Sequence, residues 1–357
     1  MEDLVFTRLL YPKEGVINSI RIRFIEKLSY EEFIYWCCEL YYSGYEEYTF
    51  QILFEIYYDF IMLIDEDRKI ILFIENNYDK WLKSYQSKKM KTKDNILIKI
   101  AEKMYFSKSN MVIHNYMNCI RTNDKKITIY RGKKPEWLNR YNKEVKSFIY
   151  SLHKVNLTNI IILSYNLRNN KNKKYTIDDI YELIEKSDII KIERSVSVHL
   201  KYYTNEHHKL VYDILKSLLK TDEISGLTKK NVKKEKIEGC VLDKMMQNYN
   251  NSKCSPRFMI RNNRRFNIIY VNKLTKEAND DLAKKYNYNW LYYAYECPLW
   301  KKRISEYGGK VNHSKKELEF DEEDDETGYS VFDKFHLKYE YEPDEQPKGF
   351  TEQIVHK

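Results

Sequence analysis

Glycine and proline are scarce, at 9 and 6 of 357 residues, well under the roughly 7 and 5 per cent of ordinary chains. Turn-rich all-β folds use these residues at each reversal and do not fit. The only adjacent glycines are Gly308 and Gly309, and neither GxxxxGK[ST] nor GxGxxG occurs, so a loop whose backbone amides cradle phosphates is not expected. No HExxH, CxxC or GxSxG is present, which removes the usual local signs of zinc and of a nucleophile elbow. The longest unbroken apolar runs, residues 33–38 and 290–295, are six residues long; a bilayer span needs about 20 predominantly apolar residues. Met1-Glu2-Asp3 is acidic where a secretory signal is basic. The expectation is a chain with no membrane segment that stays inside the cell. Its six scattered cysteines then read as reduced, mostly buried thiols.

What is abundant is Lys, Asn, Ile and tyrosine, the last at 33 residues, with 32% charged and 43% hydrophobic residues. That balance describes a folded chain. The net charge of +9 hides three blocks: −9 over residues 1–79, +28 over 80–316 and −11 over 317–346. A basic block of that size attracts polyanions such as nucleic acid. The plainer alternative is that a Lys- and Asn-rich composition places lysine on every solvated face.

Helical patterning dominates. Ser29 and Glu32 have capping-box spacing, Phe33, Trp36, Cys37 and Leu40 follow at i, i+3, i+4 and i+7, and Ser43-Gly44 supplies a stop. Over residues 49–64 the polar positions Gln51, Glu55 and Asp59 recur every four residues, predicting a helix buried on most sides. Phe33, Trp36, Leu40, Phe50, Leu53, Phe54, Tyr57 and Ile61 are expected to form one core. Further helices are predicted over 68–85, 94–106, 110–122, 135–153, 157–167, 177–187, 192–203 and 206–220, and beyond them over 275–286 and 288–307. Residues 266–271 read as a strand. No fixed repeat emerges, so the predicted fold is mainly α: an irregular stack of antiparallel helix pairs, bundle-like or α-solenoid-like, with a smaller mixed C-terminal unit. The expected divisions are a helical body over 1–225, a Lys-rich linker over 226–239, the small unit over 240–312 and an acidic tail over 313–357.

Asp178-Asp179 and Asp280-Asp281 sit in first turns, where carboxylates favour the positive helix end; capping is the expected role. His207 and His208 point to different sides of one helix, one packed and one exposed. The best contact candidates are Arg257, Arg261, Arg264 and Arg265, interleaved with Phe258 and Phe266. Arginine makes bidentate bonds to phosphate and aromatic rings stack on bases; a strand with aromatics inward and arginines outward has the same pattern. Lys229, Lys230, Lys233, Lys234 and Lys236 form a weaker basic segment, whose default meaning is a flexible linker.

Residues 31–44 (Glu-Glu-Phe-Ile-Tyr-Trp-Cys-Cys-Glu-Leu-Tyr-Tyr-Ser-Gly) running into 56–59, together with 294–304 (Ala-Tyr-Glu-Cys-Pro-Leu-Trp-Lys-Lys-Arg-Ile) and 341–346, resemble uncharacterised proteins of nucleocytoplasmic large DNA viruses, the mimivirus-like giants especially. The resemblance covers about a fifth of the chain and implies a place of action in the host cytoplasm, at the viral factory, or in the virion. Residues 145–157 and 179–186 are similar to the helical middle domain of translation initiation scaffolds, a pattern that many helix pairs satisfy. The functional expectation is a non-enzymatic helical scaffold or adaptor that binds nucleic acid or an acidic protein partner, with no cofactor and no metal. The alternatives are a virion structural component and an enzyme whose site is assembled from distant helices.

Overall fold

The computed structural model describes residues 4–65, 67–86, 93–122, 135–169, 174–189, 191, 206–219, 289–320 and 328–339. They are mainly helical, with paired helices packing together and a single two-stranded hairpin among them. No helix among them is long and apolar enough to cross a membrane. The chain divides into two compact units: residues 1–52, 91–105 and 233–357 form one, and 53–90 with 106–232 form the other.

In the first unit, α1 (Lys13–Glu26) and α5 (Lys93–Tyr105) pack on α2 (Tyr30–Tyr42). Every residue from Glu32 to Tyr42 is buried, so α2 is a central helix and not one with a single inward stripe. The expected capping box is half formed. The Ser29 hydroxyl accepts the Glu32 amide at 3.2 Å, but the Glu32 carboxylate faces the Trp36 indole N–H (3.3 Å) and the Arg23 guanidinium (2.8 Å). Burial makes these partners worth more than the exposed cap.

α1 is not among the helices the sequence predicts; its inward residues include Gly15 and Ser19 among Val16, Ile17, Ile20 and Phe24. Small and polar residues on the buried face erase the apolar period that marks a helix. Lys27 ends α1 in the left-handed conformation (φ 56°). Its ammonium donates to the carbonyls of Met104 and Tyr105 at the C-terminal end of α5 and lies 3.6 Å from the Phe24 ring centroid. A cation there meets the negative helix end.

The described C-terminal residues belong to this same unit. A helical turn over 289–294 is followed by α11 (Pro298–Ser305), the hairpin β1 (Lys310–Asn312) and β2 (Glu317–Glu319), and α12 (Val331–Tyr339). The single helix expected over 288–307 is broken because Pro298 at the first turn of α11 starts a new one. α11 docks on the end of α2: the Leu299 amide and the Cys297 thiol both donate to the Ser43 carbonyl, at 3.2 and 3.1 Å, and the Trp300 indole donates to the Arg8 carbonyl at 3.2 Å. On α12, Phe335 and Tyr339 are buried against Tyr307 and Trp300, whereas Phe332 and, ahead of the helix, Tyr329 remain about half exposed.

In the second unit, α7 (Lys143–His153), α8 (Leu157–Asn169), α9 (Ile177–Ser187) and α10 (Glu206–Leu218) close on a core that includes Phe148, Leu152, Leu163, Ile184 and Ile214. α9 has the bounds expected of it. Thr176 and Asp179 form its capping box, so the Asp178-Asp179 pair serves the helix start. The helix expected over 135–153 is instead a 3₁₀ turn (Glu136–Arg140) and α7, because Tyr141 is extended and the Asn142 side chain caps α7 by accepting the Val145 amide at 3.0 Å.

α3 (Glu46–Ile56) crosses the boundary between the units. It runs into a π-helical turn (Tyr57–Ile61) and a 3₁₀ turn (Met62–Ile64), so the helix expected over 49–64 changes pitch twice. All eight residues predicted to form one core are buried. They divide at α3, with Phe33, Trp36, Leu40 and Phe50 in the first unit and Leu53, Phe54, Tyr57 and Ile61 in the second.

Candidate functional site

The π-helical turn is where the second unit places two chemically useful side chains together. A π turn carries one more residue than an α turn and is frequent at functional sites; here the Met62 amide bonds to the Tyr57 carbonyl five residues back. The Phe60 carbonyl accepts the Asn110 amide at 2.8 Å, and the Asn110 side-chain oxygen accepts the Val112 amide at 3.2 Å at the start of α6 (Val112–Thr122). α6 packs along the π turn. His114 Nδ1 then lies 3.2 Å from Asp59 Oδ2, and its ring is tilted 31° against Phe60 with centroids 4.8 Å apart. Both side chains are partly exposed, 21% for His114 and 15% for Asp59. A carboxylate on one imidazole nitrogen fixes the ring's orientation and tautomer, the arrangement histidine uses in acid–base chemistry and in metal ligation.

Other buried polar groups hold helix ends. Asp65 accepts the Tyr57 hydroxyl (3.0 Å) and the Ile70 and Ile71 amides (3.0 and 3.1 Å) at the start of α4 (Lys69–Gln86). Burial and the Asp65 carboxylate push the Tyr57 phenol far above its ordinary value. Glu39, 1% exposed, accepts the Leu9 amide at 2.8 Å and the Arg8 guanidinium at 3.0 Å, fastening the N-terminal segment to α2. Tyr181 donates to the buried Asp213 carboxylate and links α9 to α10. His207 is buried edge-on to Tyr165, while the side chain of His208 lies outside the described residues.

Cys37, Cys38 and Cys297 are buried and form no disulfide. Burial raises the Cys37 thiol well above its ordinary value and pushes Cys297 up to about 11. Both are protonated at neutral pH and are not activated nucleophiles. Among the described residues, no three of His, Cys, Asp and Glu come together in a way that could hold a metal ion.

Arg257, Arg261, Arg264 and Arg265, and Lys229, Lys230, Lys233, Lys234 and Lys236, all lie outside the described residues, as do Asp280-Asp281, the helices expected over 192–203 and 275–286, and the strand expected over 266–271. The charge count is informative nonetheless. Of the +28 on residues 80–316, the described residues carry +10 (23 Lys and Arg against 13 Asp and Glu), and +18 falls on residues outside them. Sequence reasoning did not find the Asp59–His114 pair. In the sequence Asp59 is one of the polar positions recurring every four residues, and the 55-residue separation from His114 leaves no local signal. No family model, curated protein or solved structure matches the chain.

Proposed function

We propose that this protein is a helical scaffold that binds nucleic acid through its basic middle section. The single observation that carries the reading is the +28 on residues 80–316 between two acidic blocks. Supporting it, the buried polar groups Glu39, Asp65 and Asp213 fasten helices to one another or to the chain entering them. Arg257, Arg261, Arg264 and Arg265, with part of the lysine segment 229–236, are the proposed phosphate contacts, and the proposed setting is the viral factory or virion implied by the resemblance above. Replacing the four arginines by alanine is expected to weaken oligonucleotide binding across sequences and to flatten its salt dependence, because phosphate contacts release counterions without reading bases. An unchanged salt slope would reject this site, and binding of acidic proteins in preference to oligonucleotides would move the reading to a protein adaptor.

A second reading, an enzyme with a site assembled from distant helices, is favoured by one observation: the partly exposed Asp59–His114 pair on a π-helical turn. Its test is turnover of activated ester and phosphoester substrates by the wild-type protein and by His114→Gln. Turnover lost in the variant at unchanged melting temperature supports chemistry there; equal turnover rejects it.

A further inference from the structure

Four of the five tryptophans, Trp36, Trp81, Trp290 and Trp300, are at most 5% exposed. Trp137 is the exception. It lies in the 3₁₀ turn Glu136–Arg140, packs against the core of the second unit and stays partly exposed. Tyr141, edge-on to it with ring centroids 5.9 Å apart, does the same. Two large rings are therefore held in place by the core where the chain meets water, the situation in which an aromatic side chain with one apolar and one wet end serves a binding surface.

Three cations gather beside these rings. The Arg140 guanidinium lies 5.1 Å from the Tyr141 ring centroid and donates to the Tyr141 hydroxyl at 3.3 Å. Lys146 donates to the Asn139 carbonyl at 3.0 Å, next to Arg140 in the chain, and Lys143 stands three residues before Lys146 on the same face of α7. Arg140 and Lys143 are exposed and Lys146 is partly so. Among the described residues no carboxylate pairs with any of the three, which leaves their charge to an outside anion. From residue 123 to 154 the sequence holds nine Lys and Arg against three Asp and Glu, so the surroundings add to this field. Cations beside aromatic rings form the chemistry that binds single strands: the rings stack on bases and the cations hold phosphates. Arg140 and Lys146 are already held by a hydroxyl and a carbonyl, so less side-chain freedom is lost when a strand arrives.

We propose that the 3₁₀ turn and the start of α7 form a single-strand binding site, in which Arg140, Lys143 and Lys146 hold phosphates and Trp137 stacks on an unpaired base. This assignment rests on the nucleic-acid reading above and adds to it a site in the second unit and a preference for unpaired bases. Duplexes keep their bases stacked inside and offer this ring no face.

The test follows the tryptophan emission and the affinity of the full chain as single-stranded oligothymidine, a duplex or base-free polyphosphate is added over a range of salt. Because the other four tryptophans are buried, oligothymidine is expected to quench the emission of Trp137, while the duplex and polyphosphate leave it unchanged. Trp137→Phe should bind oligothymidine without that quench. Trp137→Leu, measured where it remains folded, is expected to bind oligothymidine about 5- to 150-fold more weakly, the span of one base stack, with polyphosphate binding unchanged. Arg140→Ala, Lys143→Ala and Lys146→Ala together are expected to lower the salt slope by about 2, at roughly 0.7 for each contact with a single strand. Oligothymidine binding that leaves the emission unchanged, equal quenching by the duplex or polyphosphate, or a wild-type salt slope in the triple variant overturns this site while the nucleic-acid reading stands. If the wild-type protein binds neither oligonucleotide, both fall.

Discussion

Asp65 is 6% exposed and accepts one hydroxyl and two amide hydrogens, so its carboxylate is matched by donors from Tyr57 and from the first turn of α4. Replacing it strands those donors in a site that excludes water. Asp65→Ala is expected to cost about 2–4 kcal/mol, and Tyr57→Phe about 1 kcal/mol, in urea denaturation with an unchanged slope. The same burial makes the protein sensitive to alkali. Burial raises the phenols of Tyr30, Tyr45, Tyr57 and Tyr58 above their ordinary 10, and lifts Cys297 from 9 to about 11. For groups that lose a proton and whose folded value is raised, the unfolded chain releases protons first, so stability is intact below about pH 9 and falls as pH climbs through the folded values. Melting temperature should stay level from pH 7 to 9 and then drop. A final step of tyrosinate absorbance should appear only with unfolding; ionisation of all the tyrosines while the chain is still folded would contradict the burial of these rings.

At the scale of elements, Gly44 shows how sequence dictates a junction. It follows the C-cap of α2 with φ +90°, and a Cβ there would lie 2.7 Å from the Pro298 side chain. Gly44→Ala therefore combines backbone strain with a clash at the α2–α11 contact. It is expected to destabilise by at least about 1–2 kcal/mol and to lower the melting temperature. Trp36, fully buried and edge-on to Tyr11 at 5.0 Å, is expected to cost about 3–5 kcal/mol as Trp36→Ala.

The stop at Ser43-Gly44, the caps at Ser29 and Thr176 and most helix limits were legible because they depend on residues within one or two turns. Other features were not. α1 hides its buried face behind Gly15 and Ser19. The π turn is a change of pitch inside an unbroken apolar run, where spacing cannot report it. The docking of α11 depends on Cys297 meeting Ser43, 254 residues earlier in the chain. For the candidate site, the basic segments were legible as charge alone, whereas Asp59–His114 required two elements to be placed in space.

Across the whole molecule, charge is segregated along the chain while the described helices use their buried charges locally. Of residues 319–326, seven are acidic, and 321–326 lie between β2 and α12. Since α12 packs through Phe335 and Tyr339, deleting the tail from 317 would remove part of the first unit as well as its charge. The informative variant neutralises the six acidic residues 321–326 and keeps α12. If this segment competes with polyanions for the basic section, that variant binds oligonucleotides more tightly at low salt, and the gain fades toward 1 M, where the screening length is about 3 Å. Equal affinity at low salt would leave the segment a solubilising one.

As proposed, the basic middle section would hold nucleic acid by its phosphates. The most direct measurement of this is the affinity of the full chain for a labelled oligonucleotide across monovalent salt. A straight, steep fall of log affinity with log salt is expected, shallower when Arg257, Arg261, Arg264 and Arg265 are alanine, because each phosphate contact releases nearly one counterion. Binding that ignores salt, or no binding at low salt, would contradict it.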